Sequence, residues 1–273
     1  MNKSKERAWQ IIDLYKVEVS KFGFVRTVIL VGSLSDDTYT GALGSDIDLI
    51  NIVSDDVTYE EEQKLIFDLI DEIEAKTDKD IKIAKVVYQE KHLNRPFQCD
   101  FEINHRNNCL INLPIELSRI LDGGIVIFGD NYINKIRKPT RDDFFLMEYL
   151  NKVQMEKIKK EDPAFYRDYC ENIENPSIRI LVQIVITTAM TEYYYYTNKF
   201  CSSKYRILEL MEKDFPKLSY INLLKLCHKY RFNSNNITKD DIEVMRVEYK
   251  DVFRNRSKPW EDEEAWKRIV LCK

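Results

Sequence analysis

All seven glycines of the chain, Gly23, Gly32, Gly41, Gly44, Gly123, Gly124 and Gly129, lie before residue 130, and none occurs from there to residue 273. A long segment without the residue that most readily adopts positive φ has few ways to make tight turns. It is most easily built from helices joined at proline and Asn/Asp turns, whereas the glycine-bearing part can mix strands with helices. Charge changes at the same place. Residues 1 to 130 hold 15 Lys/Arg against 24 Asp/Glu, and residues 131 to 273 hold 27 against 22. The architecture is therefore expected to change near residue 130, from an acidic part to a basic one.

A chain of 273 residues with 44% hydrophobic and 32% charged side chains has the make-up of a soluble globular protein. Its net charge of -4 argues against a role in coating nucleic acid, while leaving room for a local basic patch. Cysteines 99, 109, 170, 201, 227 and 272 form no CxxC pair, and His92, His105 and His228 are the only histidines. Neither a zinc ribbon nor a disulfide framework is indicated, so reduced thiols and a cytoplasmic location are expected. The start, MNKSKERAWQ, has no apolar export segment. The longest apolar run, 180 to 190, is interrupted by Gln183, Thr187 and Thr188, so no membrane span is expected. Four consecutive tyrosines, Tyr193 to Tyr196, would cover every face of a helix and read as core plus interface.

In the first part, residues 5 to 21 read as an amphipathic helix, Val25 to Val31 as a β-branched strand ended by Gly32-Ser33, and Asp46 to Val53 as a strand with one open and one buried face. Tyr59 to Lys76 carries a helical stripe of Leu65, Ile66, Leu69, Ile70 and Ile73. Residues 81 to 88 and 97 to 104 alternate with period two, with a turn expected near Asn94-Arg95-Pro96. A helix opened by Pro114, striped by Ile115, Ile120 and Leu121 and stopped at Gly123-Gly124, then leads into a strand IVIFG. Beyond it, helices are expected at about 140–160, 164–173, 177–198, 203–213, 218–230, 238–254 and 260–271, with prolines 139, 163, 176, 216 and 259 at or near the breaks.

Asp46 and Asp48 stand two apart on a strand, so their carboxylates share a face while Ile47 points the other way. Crowding two such charges calls for a counter-ion, and a hard cation such as Mg²⁺ with phosphate oxygens is the natural one. Gly32-Ser33 follows a strand, where a glycine lets phosphate approach the backbone and a serine offers its hydroxyl and amide. Either feature alone is common. Their joint order is more specific: strand, Gly-Ser, the spacer 34 to 45, Asp-Ile-Asp-Leu, then a later strand bearing acids.

The stretch VGSLSDDTYTGALGSDIDLINIV resembles the signature of the DNA polymerase β type nucleotidyltransferase superfamily, hG[GS], a spacer, Dh[DE]h, and a third carboxylate on a later strand. Within that superfamily the chain is similar to the bacterial aminoglycoside adenylyltransferases of the streptomycin and spectinomycin type. GGIVIFGD at 123 to 130 resembles their "dG.vlyG" strand, and TNKFCSSKYRILELMEKDFP at 197 to 216 their "tGk.lSK..a..w....p" segment, with Asn198 in place of the glycine and no tryptophan. The resemblance implies an α+β fold: an N-terminal mixed-sheet minimal nucleotidyltransferase domain, 1–135, followed by an all-α helical-bundle domain, 136–273, that completes the nucleotide and acceptor sites.

It further implies that Gly32 and Ser33 hold the nucleotide β and γ phosphates, that Asp46 and Asp48 ligate two Mg²⁺ ions, and that Lys204 reaches the triphosphate. Gln98, Asp100 and Glu102 share one strand face. Either acid can be the third metal ligand and the other the base; Asp100 is preferred as ligand, and the motif does not decide. His105, Arg106 and Glu116 are candidates for the acceptor side by nearness in sequence only. The implied reaction is transfer of a nucleoside monophosphate, AMP from ATP, to a hydroxyl of a small molecule such as an aminoglycoside antibiotic, with release of pyrophosphate. The acidic N-terminal part favours a cationic small acceptor over RNA. Transfer to RNA or protein, as in toxin-antitoxin relatives, and a non-catalytic nucleotide-binding module are the rival readings.

Overall fold

The structure is a computed structural model that describes residues 3–39, 46–56, 59–77, 81–94, 113–265 and 268. The described residues fall into two compact units, 3–94 with 116–138, and 113–115 with 139–268.

The first unit is an α+β layer built on a four-stranded mixed sheet. Strands β1 (Val25–Val31), β2 (Asp46–Val53), β3 (Lys82–Gln89) and β4 (Ile125–Gly129) are ordered β3-β2-β1-β4. β1 pairs antiparallel with both β2 and β4, while β2 and β3 run parallel, as their helical connection α2 (Tyr59–Lys76) requires. Helix α1 (Lys3–Val19) buries Ala8, Ile11, Ile12, Tyr15 and Val19, one stripe at helical spacing. With α2 it forms a core against Ile47, Leu49 and Val53, one face of β2. Asn51, also fully buried, accepts from the Tyr15 hydroxyl at 2.7 Å and donates to Val86 O of β3 at 3.1 Å, so its amide is satisfied inside the core. The opposite face of β2 opens with Asp46 and Asp48.

Several local expectations shift. α1 lies two residues earlier than expected, because Phe22 N turns back to Val19 O at 3.0 Å. Leu65 is exposed, and α2 packs through Ile66, Leu69, Ile70 and Ile73. β3 runs straight into a short helix, α3 (Glu90–Asn94), and the strand expected at 97–104 lies outside the described residues. Helix α4 (Leu113–Gly123) buries Ile115, Leu117 and Ile120 and ends where expected, at the Gly123-Gly124 pair.

The second unit is helical throughout: α5 (Arg141–Glu161), α6 (Pro163–Glu174), α7 (Ile178–Thr197), α8 (Ile207–Asp214), α9 (Ile221–Phe232) and α10 (Lys239–Glu248), the last running into a π-helical turn, Tyr249–Phe253. Caps set several of the starts. Asp162 accepts from Phe165 N ahead of Pro163, Ser177 accepts from Ile180 N, and Thr238 forms a capping box with Asp241. The core gathers Leu181, Val185, Ile186 and Met190 of α7 against Met211, Leu223, Leu224 and Met245. Tyr193 and Tyr194 are buried and Tyr196 is exposed, so the tyrosine run serves mainly the interior. Within that interior Glu192 accepts from the Tyr220 hydroxyl at 2.5 Å and pairs with Arg256, whose guanidinium lies over the Tyr220 ring. Among the described residues no helix is long and apolar enough to cross a membrane.

Candidate functional site

The antiparallel register of β1 on β2 sets Val31 opposite Asp48, so the residue that follows Val31 leaves the sheet beside that carboxylate. That residue is Gly32, with φ +79, in the left-handed region where glycine is at no disadvantage. A Cβ built on it would stand 2.1 Å from Asp48 Oδ2, so no side chain fits there without moving the carboxylate. The turn continues as a 3-10 segment, Gly32–Leu34, closed by Ser35 N and Asp36 N, each donating to Gly32 O at 3.1 Å. The Ser35 hydroxyl donates to the same oxygen at 2.8 Å. Ser33, half-buried, takes no part in closing the turn.

Asp46 is exposed at the start of β2, opposite Lys82 of β3 in register, and Asp48 is partly exposed. The strand thus holds two carboxylates on a rigid element beside a glycine turn, oxygen donors of the kind Mg²⁺ takes. Among the described residues no group of three or more His, Cys, Asp or Glu comes together as a metal site. Asp100 and Glu102, His105 and Arg106 lie outside the described residues, as does the side chain of Glu116.

One site residue escaped the reading of the sequence. Arg119 of α4 donates from Nη2 to Asp48 Oδ2 at 3.0 Å and is only 13% exposed. The same nitrogen lies 3.0 Å from the position a Gly32 Cβ would take, so one guanidinium pairs with the carboxylate and stands beside the turn. Its signal was faint: Arg119 is the only basic residue of its helix, flanked by the buried Ser118 and Ile120.

Lys204 belongs to the second unit. It is half-buried in the turn ahead of α8 and donates to Gln183 Oε1 at 3.3 Å. Nearby, Asn198 caps α7 in the left-handed conformation, φ 56 and ψ 25. After glycine, asparagine is the residue that most readily takes such a conformation, so this position suits its residue.

No family model matches the chain, and no curated protein sequence matches it. Among solved structures it is similar to the crystal structure of spectinomycin adenyltransferase AAD(9) from Enterococcus faecialis with ATP and spectinomycin. The TM-score is 0.52 at 14% identity, over 89% of this chain and 97% of that one. This establishes a shared fold, mixed sheet followed by helices, with that adenyltransferase. A toxin-antitoxin MntA-HpeT mutant aligns over 58% of this chain and 95% of that one at 13% identity, with a TM-score of 0.27, too low for a correspondence to be drawn.

Proposed function

We propose that the chain is a nucleotidyltransferase that moves AMP from ATP to a hydroxyl of a small, cationic, aminoglycoside-like molecule and releases pyrophosphate. The observation that carries this is the close approach of Asp48 to the Gly32 turn, which sets a glycine turn against a strand-borne carboxylate pair. Support for ATP and for the acceptor class comes from the shared fold with an adenyltransferase crystallised with ATP and spectinomycin, and from the excess of acid in residues 1 to 130.

In this reading Asp46 and Asp48 hold Mg²⁺, with Asp100 as third ligand. The bound metal would supply positive charge to the attacking and leaving oxygens. The chain's own groups do the rest. Gly32 and Ser33 orient the β and γ phosphates, and Lys204 offers a point charge to the departing pyrophosphate. Glu102 takes the proton of the acceptor hydroxyl as its oxygen bonds to the α-phosphorus and the bond from that phosphorus to the bridging oxygen breaks. Either acid of the 100/102 pair can fill either of those two roles.

The test is transfer of label from α-³²P-ATP with Mg²⁺ into aminoglycosides, aminocyclitols and lincosamides, with bulk RNA as a separate acceptor. Labelled small molecule with the wild-type chain, and none with Asp46→Asn or Asp48→Asn, is the expected result. Near wild-type transfer by either variant would overturn the assignment of the carboxylates, and label in RNA alone would overturn the acceptor class.

A further inference from the structure

We propose that Arg119 is the resident counter-ion of the carboxylate site, and that it exchanges from Asp48 to the nucleotide's phosphates when a metal–NTP complex binds. The inference rests on the nucleotidyl-transfer reading of Asp46, Asp48 and Gly32. What it adds is a phosphate ligand and a linkage between metal and nucleotide.

Three observations carry it. Arg119 and Asp48 form a close pair, 3.0 Å from Nη2 to Oδ2, with exposures of only 13% and 28%, so solvent screens the pair less than it would a surface ion pair. The same nitrogen, with the Asp48 carboxylate, fills the space that a side chain on Gly32 would take, which places the guanidinium at the turn. Arg119 is carried on α4 between the buried Ser118 and Ile120, which fix where its backbone stands.

A partly buried carboxylate beside a second one is costly, and the guanidinium offsets that cost at Asp48. A divalent ion arriving alone must compete with that positive charge for the same oxygens. A metal arriving with a triphosphate brings the guanidinium a new partner at the turn it stands beside. Arginine suits the exchange because its planar fork pairs two N–H groups with a phosphate as readily as with a carboxylate, whereas lysine offers only a point charge. Arg119 thus opposes bare metal and favours metal with nucleotide, so that each ligand strengthens the other's binding.

The experiment measures Mn²⁺ binding by electron paramagnetic resonance of the free ion, alone and with a non-hydrolysable ATP analogue, so that no turnover is needed. For Arg119→Gln, Mn²⁺ alone is expected to bind about tenfold more tightly and the Mn²⁺–analogue complex about tenfold more weakly, a factor of ten each way for one charge displaced at short range. Arg119→Lys, which keeps the charge and perturbs folding least, is expected to bind bare Mn²⁺ like the wild type and the analogue complex more weakly. Parallel weakening of both constants in Arg119→Gln would reduce the residue to a structural support and overturn the proposal, as would no change in either. Asp48→Asn separates the two levels. If it leaves Mn²⁺–analogue binding intact, the metal-site reading itself falls; if it abolishes binding while the Arg119 variants change neither constant, only the exchange falls.

Discussion

Two glycines of the first unit sit in nearly the same backbone conformation but against different obstacles, and substituting each by alanine separates strain from chemistry. Gly32 has φ +79 and Gly129 φ +75. An alanine in the left-handed region costs about 1–2 kcal/mol, offset by roughly 0.4–1 kcal/mol through the lower entropy of its unfolded chain. The obstacles decide the rest. At Gly129 the new Cβ would stand 2.0 Å from Arg26 O, a carbonyl held within β1 that also accepts from Asp130 N at 3.2 Å. Backbone cannot retreat without disturbing the β1–β4 pairing, so Gly129→Ala should lose about 3 kcal/mol or more.

At Gly32 the nearest atom is Asp48 Oδ2, the end of a side chain, which can swing away. Gly32→Ala should therefore cost only about 1 kcal/mol net. To reach ordinary contact, however, the carboxylate must move by roughly 1 Å, a misplacement able to reduce turnover by about a hundredfold. Urea unfolding read by circular dichroism gives the first quantity, and transfer of labelled AMP per folded molecule gives the second. The expected pattern is crossed: Gly129→Ala is the less stable variant but transfers normally when folded, and Gly32→Ala is nearly as stable as wild type but inactive. A Gly32→Ala protein that is the less stable of the two and still transfers at the wild-type rate would refute the reasoning.

Other expectations concern the helical unit. Asp241 is held below the usual carboxylate range by the Thr238 backbone N–H and by Lys229. Its stabilising effect is therefore present above the unfolded carboxylate pKa and is lost as pH falls through the lower, folded value; acid titration of thermal stability should show that loss in the wild type and a flatter profile in Asp241→Asn. Arg256→Ala leaves Glu192 buried without its cation and should cost about 3–5 kcal/mol in urea unfolding, a loss under about 1 kcal/mol being incompatible with the pair as described. Asn198→Gly should leave the α7 cap intact and melt within a degree or so of wild type, whereas Asn198→Ala should lose about 1 kcal/mol to the left-handed conformation.

β2, α2 and β4 were legible to the residue, because β-branched runs bounded by turn residues and a long apolar stripe leave little choice. Starts governed by distant contacts were not. The helix expected from 203 begins at Ile207, because the Tyr205 carbonyl is bound instead by the His228 ring nitrogen at 2.8 Å, a partner 23 residues away. The helix expected to run to 254 gives way at Tyr249 to a π-helical turn, and the Tyr249 hydroxyl donates to Ile173 O at 3.0 Å, again a contact with no local trace. In the candidate site, the nearness of Gly32 to Asp48 was readable because the two are close in sequence and joined by one antiparallel pairing. Arg119 was not, since nothing in its own helix says that Asp48, 71 residues earlier, will lie beside it.

Asn51 has a consequence beyond satisfying its own amide. Sliding β2 by one residue would trade one apolar contact for another at its aliphatic positions but would turn Asp46 and Asp48 toward the apolar core of α1 and α2, a burial of charge that itself opposes the slide. The amide between the Tyr15 hydroxyl and Val86 O does not tolerate that slide, because one step strands three polar groups in the dry interior at once. Asn51 thus adds to the two carboxylates a second barrier against misalignment, so a leucine there is expected to lower the correctly facing fraction rather than the stability.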